Sequence, residues 1–296
     1  YWEKEEITST LKESIKFSTL ITSDVNWLHL DVEGLDDKLL YSLTDEQYLN
    51  LDLIIFEYNN LSTEERENID NFIKLKNFTT FKEKGITYAS ELAIQNCRDL
   101  VEIIKWNNKN GINFFRLTSD LFPWASEYNL TELQNYNLIE NILGLAGALA
   151  NKCGQRITAH PGPFNVLVSP KEHVVENTIA DLTLHGEVFD MLGLSRTPYN
   201  KINIHCNGVY GDKIAAMDRF CKNFERLPES VQTRLTVEND DKASMYSVKD
   251  LMYIHERIGI PIVFDYHHHK FCTGDLSEEE ALKLAVSTWG DIKPVV

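Results

Sequence analysis

Pro261-Ile262-Val263-Phe264-Asp265-Tyr266-His267-His268-His269 sets an apolar run directly against a carboxylate and three imidazoles. A short, continuous apolar run reads as a buried strand. Its C-terminal end delivers Asp265 and a histidine cluster. Asp and His three apart, just past a strand, can turn toward one metal ion as oxygen and nitrogen ligands. Taken alone, a solvated His-rich turn accounts for the stretch equally well. The test is whether other strands end the same way.

Upstream, the pattern repeats. Ile112 to Leu117 reads as a strand leading to Thr118-Ser119-Asp120, and Arg156 to Ala159 as one leading to His160-Pro161-Gly162. Lys201 to Ile204 leads to His205, and Arg234 to Val237 leads to Glu238-Asn239-Asp240. Amphipathic helices are expected between and after them: Glu91 to Asn108, Leu130 to Asn151, Lys171 to Leu192, Lys213 to Phe224, Val248 to Arg257 and Glu278 to Ser287. Lys293 to Val296 reads as the start of a further strand. Strand alternating with helix means a parallel sheet of βαβ units. No G-x-G-x-x-G follows a strand, so a dinucleotide-binding sheet has no support. The strand ends favour a (β/α)8 TIM barrel. Asp120, His160, His205, Glu238 and Asp265 would then share one face, the face on which barrels build their sites.

Farther upstream the signals thin out. Trp2, Leu11, Ile15, Phe17, Leu20 and Ile21 suggest a helix, residues 52–58 a strand, and Ser62-Thr63-Glu64-Glu65 a helix start. Of the net charge of −16, residues 1–73 hold 17 acidic and 5 basic side chains. The expected organisation is an acidic N-terminal extension over 1–50 and a barrel domain over 51–296. Such acidity argues against non-specific nucleic-acid binding but leaves room for a local basic surface. No apolar run reaches membrane-spanning length. The 5 cysteines are scattered and form no C-x-x-C, which fits reduced thiols of an intracellular protein, nuclear or cytoplasmic.

Imidazole and carboxylate without thiolate suit Mn2+, Zn2+, Fe2+ or Mg2+. Such ions activate water and clamp an in-line phosphoryl displacement, or polarise a sugar diol. The chemistry alone leaves both open.

Several stretches together carry a family resemblance. Phe115-Arg116-Leu117-Thr118-Ser119-Asp120-Leu121-Phe122-Pro123-Trp124-Ala125-Ser126 resembles the R-x-S-S-D-L-F-P-x-A-S segment of the ultraviolet-damage endonucleases. Arg156 to Gly162 matches R-L-x-x-H-P-G, and Ile204-His205 with Gly208 and Gly211-Asp212-Lys213 resembles I-H-x-G-G…G-x-K. Arg234 to Asp241 matches R-L-x-x-E-N-D-D, and Asp265-Tyr266-His267-His268-His269 resembles D-W-H-H-H. The resemblance covers about residues 80–296. It implies a barrel like that of endonuclease IV, holding two or three divalent ions, manganese foremost and zinc or magnesium also suited. It implies nicking of damaged double-stranded DNA 5′ to ultraviolet photoproducts by metal-activated water, by a monomer that needs no membrane. His160, His205, Glu238, Asp265 and His268 fall on the family's ligand positions, and Asp120 on one near the cluster. Glu238, His205 and Lys213 are the expected catalytic residues. Phe164, Pro163, Arg116 and Asn239 are the expected DNA or lesion contacts.

Among the chain's departures from the family, two bear most on its function. Pro163 and Phe164 stand where the family commonly has Gln-Tyr. Phe164 can still wedge between unstacked bases, but Pro163 offers no side-chain hydrogen bond. The family also continues with a further His-containing strand and a late Glu, so a barrel shortened at its C-terminal end is expected. Abasic-site cleavage or sugar isomerisation on the same barrel, and an inactive DNA-binding remnant, are the competing readings. The remaining expectations are bland. His29, His173, His185 and His255 read as surface residues, Trp106 and Trp289 as core. Arg234 reads as pairing with a neighbouring strand's carboxylate at the barrel base.

Overall fold

The computed structural model describes residues 63–294, with the short segments 27–29, 41, 43–44 and 53–55. The chain divides into two compact units, Tyr1–Gly85 and Ile86–Val296. In the first, β1 (Trp27–His29) runs parallel to β2 (Leu53–Ile55), within the strand expected over 52–58. The helix expected around residues 2–21 lies outside the described residues. Helix α1 (Thr63–Lys109) begins where the Ser-Thr-Glu-Glu signal places it and is interrupted at Gly85, whose φ of 71° and ψ of −171° are not helical.

The second unit is a parallel sheet of β3 (Phe114–Leu117), β4 (Arg156–Ala159), β5 (Ile202–His205), β6 (Leu235–Glu238) and β7 (Ile262–Val263). Its strand order is β3-β4-β5-β6-β7. Each strand pairs with the one before it, the order of a winding barrel, whereas a doubly wound sheet reverses at a switch point. The intervening helices are α2 (Tyr136–Lys152), α3 (Glu172–Met191), α4 (Lys213–Phe224), α5 (Glu229–Gln232), α6 (Val248–Ile258), α7 (Tyr266–His269) and α8 (Glu278–Ser287). The sequence suggested neither α5 nor α7, both single turns. The helix expected from Leu130 starts at Tyr136, after a 3-10 turn at Leu130–Glu132. Lys293 and Pro294 are not in a strand, and the rest of that expected element lies outside the described residues. No helix among the described residues is long and apolar enough to cross a membrane.

The strands sort their residues by pleat, since successive side chains point to opposite faces. On β5 and β6, Ile202, Ile204, Leu235 and Val237 form one buried set. Fully burying such a side chain contributes roughly 1.5–3 kcal/mol. The alternate set is polar: Lys201, Asn203 and His205 on and before β5, and Thr236 and Glu238 on β6. Helix α2 approaches the end of α3 so closely that a Cβ on Gly147 would lie 1.6 Å from the Leu192 carbonyl oxygen. Only glycine fits there; a larger residue would force the backbones apart, at about 1–3 kcal/mol or more.

At the N-terminal ends of the strands sit two buried arginines. Arg234 is fully buried and donates to the carbonyls of Leu194 (2.7 Å), Ser195 (2.9 Å) and Ser230 (2.9 Å) and to Asp190 Oδ1 (2.7 Å). Its carboxylate partner is thus on α3, not on a neighbouring strand as expected. Arg156 donates to the carbonyls of Pro198, Tyr199 and Lys293. Trp289 is core as expected, its indole donating to Ile262 O at 2.7 Å. Trp106 is not, being 59% exposed. His185, expected at the surface, is buried on α3. Its Nδ1 lies 2.8 Å from Asp181 O and its Nε2 3.3 Å from Ser119 Oγ, which ties α3 to the loop after β3.

Candidate metal centre

The register of β5 on β6 aligns His205 with Glu238 and so makes them neighbours at one end of the sheet. His160 follows the last residue of β4, and Asp265 stands just beyond β7. Asp265 caps α7, accepting from the His268 amide at 2.8 Å. This capping turn is the physical content of the D-x-x-H spacing, because it folds His268 back over Asp265. The result is two overlapping groups, His160–His205–Glu238 and Glu238–Asp265–His268, each with its ligand atoms within 4.8 Å of one another. Glu238 belongs to both. Its Oε2 lies 4.0 Å from His160 Nδ1 and its Oε1 3.5 Å from His268 Nδ1. The imidazole planes of His160, His205 and His268 follow one another at 5.4 and 5.3 Å between ring centres.

A supporting layer holds these groups. Asn239 is fully buried. Its Oδ1 accepts from the Asp265 amide at 2.8 Å, and its Nδ2 donates to the Asp265 carbonyl at 3.1 Å. The amide thus continues the β6–β7 pairing beyond the last strand residue. The Asn239 carbonyl lies 2.9 Å from His268 Nδ1. A carbonyl only accepts, so Nδ1 carries a proton and Nε2 is the nitrogen left to face a ligand. Asp240 Oδ1 lies 3.3 Å from His205 Nδ1, without the alignment of a hydrogen bond, and that nitrogen is buried with no hydrogen-bond partner. The carboxylate favours the proton on Nδ1, which leaves Nε2 for a ligand. Carboxylate–histidine–metal arrays have this form.

Electrostatics point the same way. Burial first, then the positive neighbours Arg116, His205, Lys201 and His268, push His160 down to about 3, so near neutral pH it is the unprotonated imidazole a metal needs. Burial works against a charged His205, but Asp240, Glu238 and Asp241 outweigh it and raise that imidazole above its ordinary value. Lys201, beneath the cluster, is pushed down to about 8, chiefly by burial, with Glu238 opposing.

The donor set fits divalent metal. Convergent carboxylate and imidazole atoms, with the two oxygens of the central carboxylate facing different imidazoles, suit a divalent ion better than a simple ion pair. Of the residues expected at the site, the structure brings together His160, His205, Glu238, Asp265 and His268. Asp120 stays exposed in a 3-10 turn (Ser119–Leu121) and joins neither group. Lys213 opens α4 and pairs with Asp250 on α6 at 3.1 Å, so it links helices instead of facing the cluster. Arg116 lines the cleft beside His160 and donates to its carbonyl at 3.4 Å. Phe164 is 78% exposed on the loop after β4, with Pro163 exposed beside it. Asn239, expected at the DNA face, turns inward onto Asp265. Asp240, beside His205, has a supporting position that the motifs did not assign.

Fold and site together define a carboxylate–imidazole cluster, a candidate metal centre, at the C-terminal end of a parallel βα sheet. Residues 58–295 match the model of the family described as UV-endonuclease UvdE, and the chain belongs to that family. It is 38% identical over 221 residues to a UV-damage endonuclease of Neurospora crassa, covering 70% of this chain and 33% of that one. A UV-damage endonuclease of Schizosaccharomyces pombe is 39% identical over 207 residues, covering 68% and 33%. The chain thus spans about a third of the length of these two relatives. A crystal structure of SacUVDE superimposes with a TM-score of 0.63 at 36% identity, covering 68% of this chain and 67% of that one.

Proposed function

We propose that this chain is the catalytic portion of a metal-dependent DNA repair endonuclease that nicks damaged duplex 5′ to ultraviolet photoproducts and other lesions. The observation that carries the reading is the convergence of His160, His205, Glu238, Asp265 and His268 from four strand ends. These residues would hold at least two divalent ions, Mn2+ foremost. When bound, the ions supply water activation and charge stabilisation at phosphorus. The reaction adds water to phosphorus and breaks the bond to O3′, so a 3′-hydroxyl and a 5′-phosphate remain, with the water's proton ending on the leaving oxygen.

The chain's own residues set the stage. His160 presents an unprotonated imidazole, Asp240 holds His205, and Asn239 fixes Asp265 and His268 together. Arg116 places a guanidinium at the cleft, where it can meet a phosphate. Phe164 offers an exposed ring that can wedge against an unstacked base. Pro163 offers no hydrogen bond, so lesion readout rests on shape and stacking. The protein acts as a monomer.

The test is a duplex carrying one pyrimidine dimer, incubated with the protein and Mn2+. A single nick 5′ of the dimer is expected, lost on chelation and in His205→Ala. Nicking that survives His205→Ala sinks the assignment of the centre, and no nicking by the wild-type chain under any divalent ion leaves the inactive remnant as the better reading.

A further inference from the structure

Two buried polar residues beneath the ligands have no part in the chemistry described so far. Asn203 and Thr236 are register partners across β5 and β6, one pleat below His205 and Glu238. They are 2% and 0% exposed. Barrel interiors at this depth are filled mostly by branched apolar side chains. A buried amide left unpaired costs about 1–3 kcal/mol, so its presence calls for partners. It has them. Thr236 Oγ1 donates to Asn203 Oδ1 at 2.8 Å, and Asn203 Nδ2 donates to Glu238 Oε2.

The chain of bonds has one direction. Thr236 supplies the hydrogen, so the Asn203 oxygen faces the hydroxyl and its nitrogen faces the carboxylate. The flipped amide would set oxygen against oxygen at Glu238. We propose that Asn203, oriented by Thr236, is a positioning residue that fixes Glu238 as a bridge between two ions. A carboxylate can chelate one ion through both oxygens or join two through one oxygen each. A donor held on Oε2 from below fixes the carboxylate plane and occupies one lone pair of that oxygen. The two oxygens then face different imidazoles, Oε2 lying 4.0 Å from His160 Nδ1 and Oε1 3.5 Å from His268 Nδ1. The inference rests on the proposed reading that the cluster takes at least two ions.

Mn2+ binding by calorimetry, with low-temperature EPR for a spin-coupled pair and thermal melting of the metal-free protein, tests it. Wild type is expected to bind a coupled pair. In Asn203→Leu the second ion should bind about 10–100-fold more weakly, the range for lost outer partners of metal ligands, and the coupled signal should give way to isolated Mn2+. Thr236→Val should shift binding the same way by less, and Thr236→Ser, which keeps the hydroxyl, should restore it. The double variant should bind no worse than Asn203→Leu, because Thr236 acts through Asn203. A coupled pair at wild-type affinity in Asn203→Leu overturns the inference alone. Wild-type protein that binds no more than one ion overturns the two-ion reading and the inference with it. If Asn203→Leu does not fold, equal binding by Thr236→Val and Thr236→Ser overturns it instead.

Discussion

The two ends of the sheet are both polar and both buried, and they differ in what their polar groups have left to do. At the N-terminal end, Arg234 directs its donors onto three carbonyls and a carboxylate, and Arg156 onto three more carbonyls. At the C-terminal end, Glu238 faces two imidazoles and His205 Nδ1 has no hydrogen-bond partner. Burial of charge therefore does not by itself mark a functional centre. Satisfied donors at the base stabilise the fold. At the top, carboxylate and imidazole groups converge without closing such a network among themselves, which is the arrangement of a candidate site.

The sharpest way to break this contrast is Arg234→Met. It leaves the carbonyls of Leu194, Ser195 and Ser230 without this donor, while Asp190 keeps Arg196, so about 3–5 kcal/mol of stability should be lost at roughly 1–3 kcal/mol for each buried group left unpaired. For a domain of this size the melting temperature should fall on the order of 10 °C. Mn2+ affinity of the folded fraction should stay at the wild-type value; a parallel loss of metal would show that the two ends are not independent. Asp240→Asn should do the reverse. Losing the carboxylate behind His205 should weaken Mn2+ about 10–100-fold while thermal melting of the metal-free protein barely moves.

The smallest effect expected is a dependence on acid. Burial alone would raise Asp190, but hydrogen bonds from Arg196 and Arg234 prevail and hold it below its ordinary value of 3.8. A carboxylate with a lowered folded pKa contributes stability that is present above its unfolded value. That contribution is lost as pH falls below about 4 through the folded value. Asp190→Asn should flatten the stability curve there, as measured by urea denaturation across pH 3 to 6. An unchanged slope would place the acid sensitivity elsewhere.

Much of this was legible in the sequence, and the reasons are local. Strands β4 to β7 each lead into an imidazole or carboxylate, so the convergence of His160, His205, Glu238 and Asp265 could be read from strand ends. His268 could be read from the geometry of a capping turn. The supporting residues were harder. The alternation Lys201-Ile202-Asn203-Ile204-His205 does carry the signal, with polar residues on one face and apolar on the other. A short apolar strand hides it, because nothing in the spacing says that Asn203 will meet Thr236 across a register. Asp120 misled because strand-end logic says nothing about the loop that follows, here a 3-10 turn that leaves it exposed. Asn239 misled because a polar residue beside ligands reads as substrate-facing, whereas its amide completes the backbone pairing of β7. His185 looked like a surface histidine from its helix and is buried by a partner 66 residues away.

The central claim is that one carboxylate serves two ligand groups. Equilibrium Mn2+ binding to Glu238→Gln and His268→Ala, measured side by side with wild type, tests it most directly. Shared membership predicts that Glu238→Gln loses both ions of the pair, while His268→Ala keeps the ion held by His160 and His205. If Glu238→Gln retains one ion at wild-type affinity, or both, the carboxylate is not the bridge and the account of the centre is wrong.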